Sequence, residues 1–238
     1  MIYNIFVWTL WTIETVILGT LATIAGIFGS SGKLSHLIAR FWSKCFIYSS
    51  GIKVRITGRE NLITNGPQIF ISNHQGYFDI FSLTAFFPVQ LRWIAKKELF
   101  KIPFLGWAMK AARYVSIDRE NKRSAIRSIE QGVQLIKKGL STVIFPEGTR
   151  SLDGKMLPFK RGSLILIRKT NAPIVPVTIS GSYNIIRKKS LRIHPGVIDI
   201  KIGEPIYTDG MSKAEIEELL PKIREMISTN LSEMQGFS

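Results

Sequence analysis

A histidine and an aspartate, His74 and Asp79, are separated by four residues in the segment NHQGYFD, residues 73–79. The segment directly follows the apolar run PQIFIS, which is typical of a buried strand. Gly76 permits a sharp turn there, and such a turn can return the Asp79 carboxylate to one imidazole nitrogen of His74. The other nitrogen would then be a general base. In isolation the motif also fits a purely structural role, with Asp79 stabilising a helix N-terminus.

A second segment with chemical potential, FPEGTRS at residues 145–151, follows the apolar run STVIF. Gly148 allows a tight turn, Thr149 supplies a hydroxyl group, and Arg150 presents a planar fork that matches a phosphate group. Glu147 is expected to orient that arginine or to accept a hydrogen bond from a polyol. The segment therefore indicates an anion-binding loop, although a basic loop by itself is more often only a solvated surface.

Further basic residues follow in PFKRGS, where Lys160 and Arg161 precede Gly162 at an expected helix start. Backbone amides at a helix start favour anions. The sequence places no serine or cysteine in an elbow of the GxSxG kind. The predicted base would therefore act on water or on a hydroxyl group of the substrate itself.

The composition limits the class of partner. The chain has 238 residues, enough for one domain with a full core, and its net charge of +15 indicates an anionic partner. We expect phosphorylated substrates or anionic phospholipids rather than nucleic acid, because the N-terminal segment is apolar and nucleic-acid-binding motifs are absent from the sequence. A single cysteine, Cys45, excludes an intramolecular disulfide. We expect no metal ion and no resident cofactor.

The N-terminal segment indicates a membrane as the partner. Residues 5–29 contain one charged residue, Glu14, over about the length that crosses a bilayer. The segment lacks the features of a cleaved signal peptide, so we expect it to be retained, either spanning the bilayer or lying in one leaflet. Residues 33–51 resemble a basic amphipathic helix suited to an anionic membrane surface, with His36 on its solvated polar stripe, although a helix that packs on the domain core also fits. A spanning first segment would place the domain on the cytoplasmic side of the membrane, which in a bacterium is the side of the inner leaflet of the plasma membrane.

The rest of the chain alternates between strand and helix patterns. Strands are predicted at 53–58, 67–73, 91–99, 113–118, 141–146, 173–179 and 197–203. Helices are predicted at about 78–87, 104–112, 121–138, 162–170 and 212–233, the last with a capping box at its start and an end or kink at Pro221. We therefore predict an α/β fold with a mixed, largely parallel sheet flanked by helices, with membrane-associated helices at 1–50 and the α/β domain at 51–238.

The two chemical motifs also carry a family resemblance. NHQGYFD matches the NHxxxxD signature, and FPEGTRS matches the second hallmark, of the glycerolipid acyltransferases. The chain resembles the 1-acyl-glycerol-3-phosphate (lysophosphatidate) acyltransferases over about residues 45–205. Two further blocks fit in order, KKELFKIPFLGWAMKAARYVSIDR at 96–119 and APIVPVTI at 172–179. Many members have glycine six positions before the last arginine of the first block, where this chain has Arg113.

The resemblance implies an activity and assigns roles to the residues. His74 and Asp79 would be the catalytic base and its orienting carboxylate. The residues expected to bind the glycerol phosphate part of the acceptor are Glu147, Gly148, Thr149, Arg150, Arg119, Lys97 and Lys160. The reaction would move a fatty acyl group from acyl-CoA or an acyl carrier protein thioester to the sn-2 hydroxyl of 1-acyl-glycerol-3-phosphate, giving phosphatidic acid.

Several alternatives remain open at the level of sequence. The acceptor could be glycerol 3-phosphate or another lysolipid. From other classes, the protein could be a thioester hydrolase in which His74 activates water, or a non-catalytic protein that binds anionic lipid. The last alternative accounts for the charge but gives neither motif a role.

Overall fold

The computed structural model describes residues 2–29, 31–118, 122–187 and 190–236. Within them, the helices are α1 (Ile2–Phe28), α2 (Lys33–Ser49), α3 (Phe78–Phe86), α4 (Leu105–Ala111), α5 (Lys122–Lys137), α6 (Leu164–Thr170), α7 (Ser182–Ile185) and α8 (Lys213–Gly236). The strands are β1 (Ile52–Thr57), β2 (Ile69–Ser72), β3 (Leu91–Lys96), β4 (Val115–Ile117), β5 (Ser141–Ile144), β6 (Ile174–Ser180) and β7 (Gly196–Ile202).

The strands form one mixed sheet in the order β1-β7-β6-β2-β5-β3-β4. Each neighbouring pair is parallel except β6 and β7, which are antiparallel. Helices cover both faces, as the alternating strand and helix patterns require. The predicted α/β fold with a largely parallel sheet is confirmed.

Strand β2 lies in the interior of the sheet, between β5 and β6. All four of its residues are buried, which is why the sequence here is a continuous apolar run rather than an alternating one. Its side chains still alternate between two cores. Phe70 packs with α1, α2 and α3 on one face, and Ile69 and Ile71 pack with α5, α6 and α8 on the other.

Helix α1 packs against α2 and α4 and is fixed to the domain at several points along its length. The Asn4 side chain accepts a hydrogen bond from the backbone of Ile193, and the Trp8 indole donates to the Leu191 carbonyl. Further along, Trp42 of α2 donates to Thr15, and Ser35 donates to the Ala22 carbonyl. The helix is long and apolar enough to cross a membrane, by length and composition alone.

His36 differs from the prediction. Its side chain is 0% exposed, and its Nδ1 lies 2.8 Å from the hydroxyl oxygen of Tyr114. Burial, with the nearby charges of Arg92 and Arg40, lowers the pKa of His36 to about 3, so the ring is neutral at ordinary pH. The helical periodicity placed His36 on the correct face of α2. That face was predicted to be exposed to solvent, but other elements of the fold cover it.

Local geometry explains the remaining differences. The predicted strand at 91–99 ends at Lys96 and continues as a 3-10 turn, Lys97–Lys101. The capping box of α8 is present, with reciprocal hydrogen bonds between Ser212 and Glu215. That helix continues through Pro221 to Gly236 and does not end at the proline.

Arg113 has φ 60°, a left-handed conformation that favours glycine, so this departure from the family pattern carries backbone strain.

Candidate active site

The two chemical segments begin side by side because β2 and β5 are parallel neighbours in the sheet. Phe70 pairs with Val143 and Ile71 with Ile144. Residues 73–79 leave the carboxyl end of β2, and residues 145–151 leave the carboxyl end of β5. Sites in open α/β sheets form at this edge. The strand order thereby brings together two segments that lie about seventy residues apart in the chain.

His74 and Asp79 are hydrogen-bonded to each other, as the spacing predicts. The distance from His74 Nδ1 to Asp79 Oδ2 is 2.7 Å, and Asp79 lies in the first turn of α3 with 0% exposure. The same oxygen accepts hydrogen bonds from the backbone amides of Gln75 at 2.7 Å and Gly76 at 2.9 Å. Because an ionised carboxylate only accepts hydrogen bonds, Nδ1 carries the ring hydrogen and the lone pair is on Nε2. This arrangement suits a general base.

Gly76 is needed for space rather than for an unusual backbone conformation. Its φ lies outside the positive region. A Cβ atom at this position would lie 2.6 Å from the Ser182 carbonyl oxygen at the start of α7. The turn at residues 73–79 can therefore pack against the segment after β6 only if residue 76 has no side chain.

An aromatic ring fixes the plane of the imidazole. Phe145, the first residue after β5, stacks on His74 with a centroid distance of 4.1 Å and an interplanar angle of 12°. Trp93 of β3 stacks on the far side of Phe145 at 6.0 Å. Together with the Asp79 hydrogen bond, this stack restricts both the tilt and the rotation of the ring.

Glu147 is buried and connects the two segments. It is 2% exposed, and its Oε1 accepts a hydrogen bond from the His74 backbone amide at 2.7 Å. Its Oε2 accepts one from the Leu157 amide at 2.8 Å. Burial raises the pKa of Glu147 to about 7, against the opposing effect of these hydrogen bonds. Glu147 therefore holds the backbone of both segments, a role that the sequence pattern did not predict.

The rest of the 145–151 loop has the features of an anion site. Gly148 has φ 73°, the left-handed conformation expected for its tight turn, and a Cβ there would lie 3.1 Å from the Lys160 ammonium. Thr149 is exposed. The structure therefore brings Lys160, which is twelve residues after Gly148 in the sequence, to the side of the Gly148 turn. The Lys160 amide also donates to the Pro146 carbonyl at 2.9 Å.

Two further contacts join the 145–151 loop directly to the turn at 73–79. The Ser151 amide donates a hydrogen bond to the His74 carbonyl at 3.1 Å. The Arg150 guanidinium carbon lies 3.5 Å from the centroid of the Tyr77 ring. The His74 imidazole and the Arg150 guanidinium therefore belong to two segments that are directly connected to each other.

The last two predicted binding residues have different outcomes. Lys97 Nζ lies 2.6 Å from Asp118 Oδ2, so the lysine pairs with the residue that precedes Arg119. Arg119 itself lies outside the described residues.

Sequence reasoning missed Asn73 as a structural residue. Its side-chain amide donates to the Ile179 carbonyl at 2.7 Å, and its side-chain oxygen accepts from the Ile179 amide at 2.8 Å. This pair ties the end of β2 to β6 at the start of the turn at 73–79. The signal was present, because an amide side chain directly after a buried strand can replace a partner in the sheet ladder.

Comparison with known proteins gives consistent matches. The family model described as Acyltransferase matches residues 53–180. The chain is 35% identical to the 1-acyl-sn-glycerol-3-phosphate acyltransferase of Limnanthes douglasii over 85% of this chain and 72% of that protein. It is 35% identical to the enzyme of that name from Saccharomyces cerevisiae, over 85% and 69%. The crystal structure of the 1-acyl-sn-glycerophosphate acyltransferase PlsC from Thermotoga maritima superposes with a TM-score of 0.85 and 28% identity, covering 98% of this chain and 95% of that one.

Proposed function

The chain belongs to the 1-acyl-sn-glycerol-3-phosphate acyltransferase family, and on that premise we propose that it acylates the sn-2 hydroxyl of lysophosphatidate to give phosphatidic acid. The observation that carries this proposal is the buried His74–Asp79 pair beside the basic 145–151 loop. A base acting on a phosphorylated alcohol needs both groups at one sheet edge, and this chain has both.

The proposed reaction begins at His74. Nε2 removes the proton of the sn-2 hydroxyl while Asp79 stabilises the imidazolium that forms. The hydroxyl oxygen attacks the thioester carbonyl of acyl-CoA or acyl carrier protein, and the new ester forms as the carbon–sulfur bond breaks. The departing thiolate, whose thiol has a pKa near about 8.5, takes the proton back from His74. The acceptor is the nucleophile, so the scheme requires neither an acyl-enzyme nor a metal ion.

We propose that Arg150 and Lys160 bind the acceptor phosphate, that Thr149 offers a hydroxyl to the glycerol, and that Arg119 and Lys97 add positive charge. Support comes from the joining of Arg150 to the catalytic turn through Tyr77, and from the position of the Lys160 ammonium beside Gly148. Glu147 contributes by holding the backbone of His74.

We also propose that α1 and α2 lie in one leaflet rather than that α1 spans the bilayer. Contacts with the α/β domain occur from Asn4, which bonds to Ile193, to Gly26, which lies against Ala111 of α4, so a spanning orientation would carry part of that domain into the hydrocarbon. The opposite side of α1 is apolar and exposed, at residues including Phe6, Ile13, Ile17, Leu21, Ile24 and Phe28. Exposed Leu34, Leu37 and Phe41 of α2 extend that surface. The lysolipid would then enter from the leaflet, with the domain on the cytoplasmic face.

The test is an assay of the purified protein in liposomes with lysophosphatidate and acyl-CoA, with acyl carrier protein thioester as a second donor. Thiol release and phosphatidate formation are both measured. We expect phosphatidate from the wild type and a loss of about 10²–10⁴ in rate for His74→Ala, because general-base catalysis contributes that much. Circular dichroism of the variant controls for folding.

The alternatives predict different products. Thiol release with free fatty acid and no phosphatidate would indicate a thioester hydrolase. Acylation of glycerol 3-phosphate or another lysolipid in preference would retain the family chemistry and change the acceptor. Lipid binding without thiol release from either donor would indicate a non-catalytic lipid-binding protein, and full activity of His74→Ala would remove the proposed base.

A further inference from the structure

Tyr77 contacts Arg150, but the family motifs assign no role to this tyrosine, because it occupies one of the unspecified positions of NHxxxxD. We propose that Tyr77 is a positioning residue for the acceptor phosphate, whose ring holds the Arg150 guanidinium in the orientation that binds the phosphate. The inference rests on the proposed function and deepens it, since it identifies a residue that sets acceptor affinity.

The geometry is that of a face-on cation–π contact. The guanidinium carbon of Arg150 is 3.5 Å from the Tyr77 ring centroid, well inside the usual limit of about 6 Å for such contacts. The N–H donors of a guanidinium lie in its plane, so a ring on its face does not compete with a phosphate for them. Stacking therefore fixes the plane of the fork while leaving the direction of its hydrogen bonds unchanged.

The location of Tyr77 excludes a simple role in the hydrophobic core. Its side chain is 46% exposed, whereas the next residue, Phe78, is fully buried. Tyr77 lies at the start of α3, two positions before Asp79. The same short turn thus carries the carboxylate that orients the base and the ring that orients the phosphate fork.

This placement links the two halves of the site. An arginine side chain loses much rotamer freedom when it binds a ligand, and a preformed stack removes part of that loss before the acceptor arrives. Because Tyr77 belongs to the turn that includes His74, the distance between the fork and the base is set by a few rigid residues. The reacting hydroxyl and the phosphate of a glycerol phosphate are only a few bonds apart, so this distance matters for orientation.

The test compares Tyr77→Ala, Tyr77→Leu and Tyr77→Phe. We expect Tyr77→Ala to raise the KM for lysophosphatidate by about 3- to 30-fold, the range that corresponds to a cation–π contact, with kcat changed by less than about 3-fold. Tyr77→Phe keeps the ring and should match the wild type. Tyr77→Leu keeps apolar volume without a π face and should behave like the alanine variant, which separates stacking from packing.

Two controls sharpen the result. The KM for the thioester donor should stay within about 2-fold of the wild-type value in every Tyr77 variant, since the stack concerns the phosphate fork alone. Tyr207→Ala removes a tyrosine that is 65% exposed and lies outside both segments, and it should leave the acceptor KM unchanged.

A double-mutant cycle tests whether Tyr77 acts through Arg150. In an Arg150→Ala background, Tyr77→Ala should raise the acceptor KM by less than about 2-fold further, because the ring no longer has a guanidinium to hold. An equal penalty in both backgrounds, or a kcat loss as large as the KM rise, would overturn the proposal and give Tyr77 a structural role in the turn.

Binding of lysophosphatidate without a donor separates this proposal from the proposed function. A Kd that rises by the same factor in Tyr77→Ala supports the stack even if the wild type forms no phosphatidate, in which case only the assigned reaction fails. An unchanged Kd refutes the stack, whether or not the wild type forms phosphatidate.

Discussion

The catalytic turn at 73–79 and the loop at 145–151 adjoin each other but are built differently. In the turn, Asp79 is fully buried and one carboxylate oxygen accepts three hydrogen bonds, so the base has a single orientation. In the loop, the buried carboxylate is Glu147, and the cation that would meet the phosphate, Arg150, is half-buried and stacked on a ring. Proton transfer needs fixed atoms, whereas binding a charged headgroup needs donors that the ligand can reach.

The largest expected effect comes from the turn. Asp79→Asn replaces the acceptor for the His74 Nδ1–H with a group that can also donate, so the imidazole can adopt the wrong tautomer. We expect kcat to fall by about 10²–10⁴ with the acceptor KM changed by less than about 3-fold. Steady-state kinetics with both substrates varied measures the changes in kcat and in the acceptor KM separately.

The proposed difference between the turn and the loop would be wrong if Asp79→Asn mainly raised the acceptor KM. Such a result would mean that the carboxylate shapes the phosphate site rather than the base. Asp79→Glu is the matched variant. It keeps the charge but moves it by one methylene, so it should also lose kcat.

For substitutions in the 145–151 loop we expect the opposite result, a large change in the acceptor KM and a small change in kcat. Arg150→Ala removes the phosphate fork, and we expect the acceptor KM to rise by about 10- to 100-fold, the range of a charge-assisted hydrogen bond of about 1.5–3 kcal/mol. Arg150→Lys retains the charge but not the planar fork and should recover only part of the affinity. The salt dependence of the KM should weaken in Arg150→Ala, because one screened attraction is gone.

A loss confined to kcat in Arg150→Ala would contradict this division. It would place the guanidinium next to the reacting carbonyl instead of the phosphate. A lysophosphatidate analogue with a neutral headgroup gives a check, because the wild type and the variant should then have similar KM values.

The smallest expected effect concerns Glu147, which belongs to the loop but is buried like the turn. Its pKa is raised to about 7 by burial, so the folded state binds a proton more tightly than the unfolded chain does. Its contribution to the free energy of unfolding is therefore largest below pH 4.5 and is lost as the pH rises to about 7. As the pH rises from 5 to 8, we expect the free energy of unfolding to fall less in Glu147→Gln than in the wild type, as measured by urea unfolding.

An identical pH profile in the variant would mean that Glu147 is ionised throughout this range. Glu147→Ala is the companion variant, because it leaves the His74 and Leu157 amides without their acceptor. It should be less stable than Glu147→Gln at each pH.

Much of the fold could be predicted because its signals are local. The apolar runs at β2 and β5, the capping box of Ser212 and Glu215, and the length of α1 are properties of short stretches of chain. Residue types at His74, Asp79 and Arg150 also limit the chemistry directly, because a side chain keeps its donors, acceptors and charge in any fold. These local signals led to the confirmed fold class and family.

Contacts between distant segments could not be predicted in the same way. The burial of His36 depends on α1, Arg92 and Tyr114 covering one stripe of α2. The role of Glu147 depends on an amide in another segment, and the need for glycine at position 76 depends on Ser182. A helical or loop pattern identifies which residues share a face, but not what packs on that face.

The sequence by itself determined which atoms are available for chemistry: an imidazole with a carboxylate partner, a guanidinium fork and a long apolar N-terminal helix. The tertiary structure alone decided that β2 and β5 are neighbours, that Tyr77 stacks on Arg150, and that α1 lies along the domain. The physical reason is that residue chemistry is covalent and local, whereas strand order, burial and stacking follow from which distant surfaces pack best together.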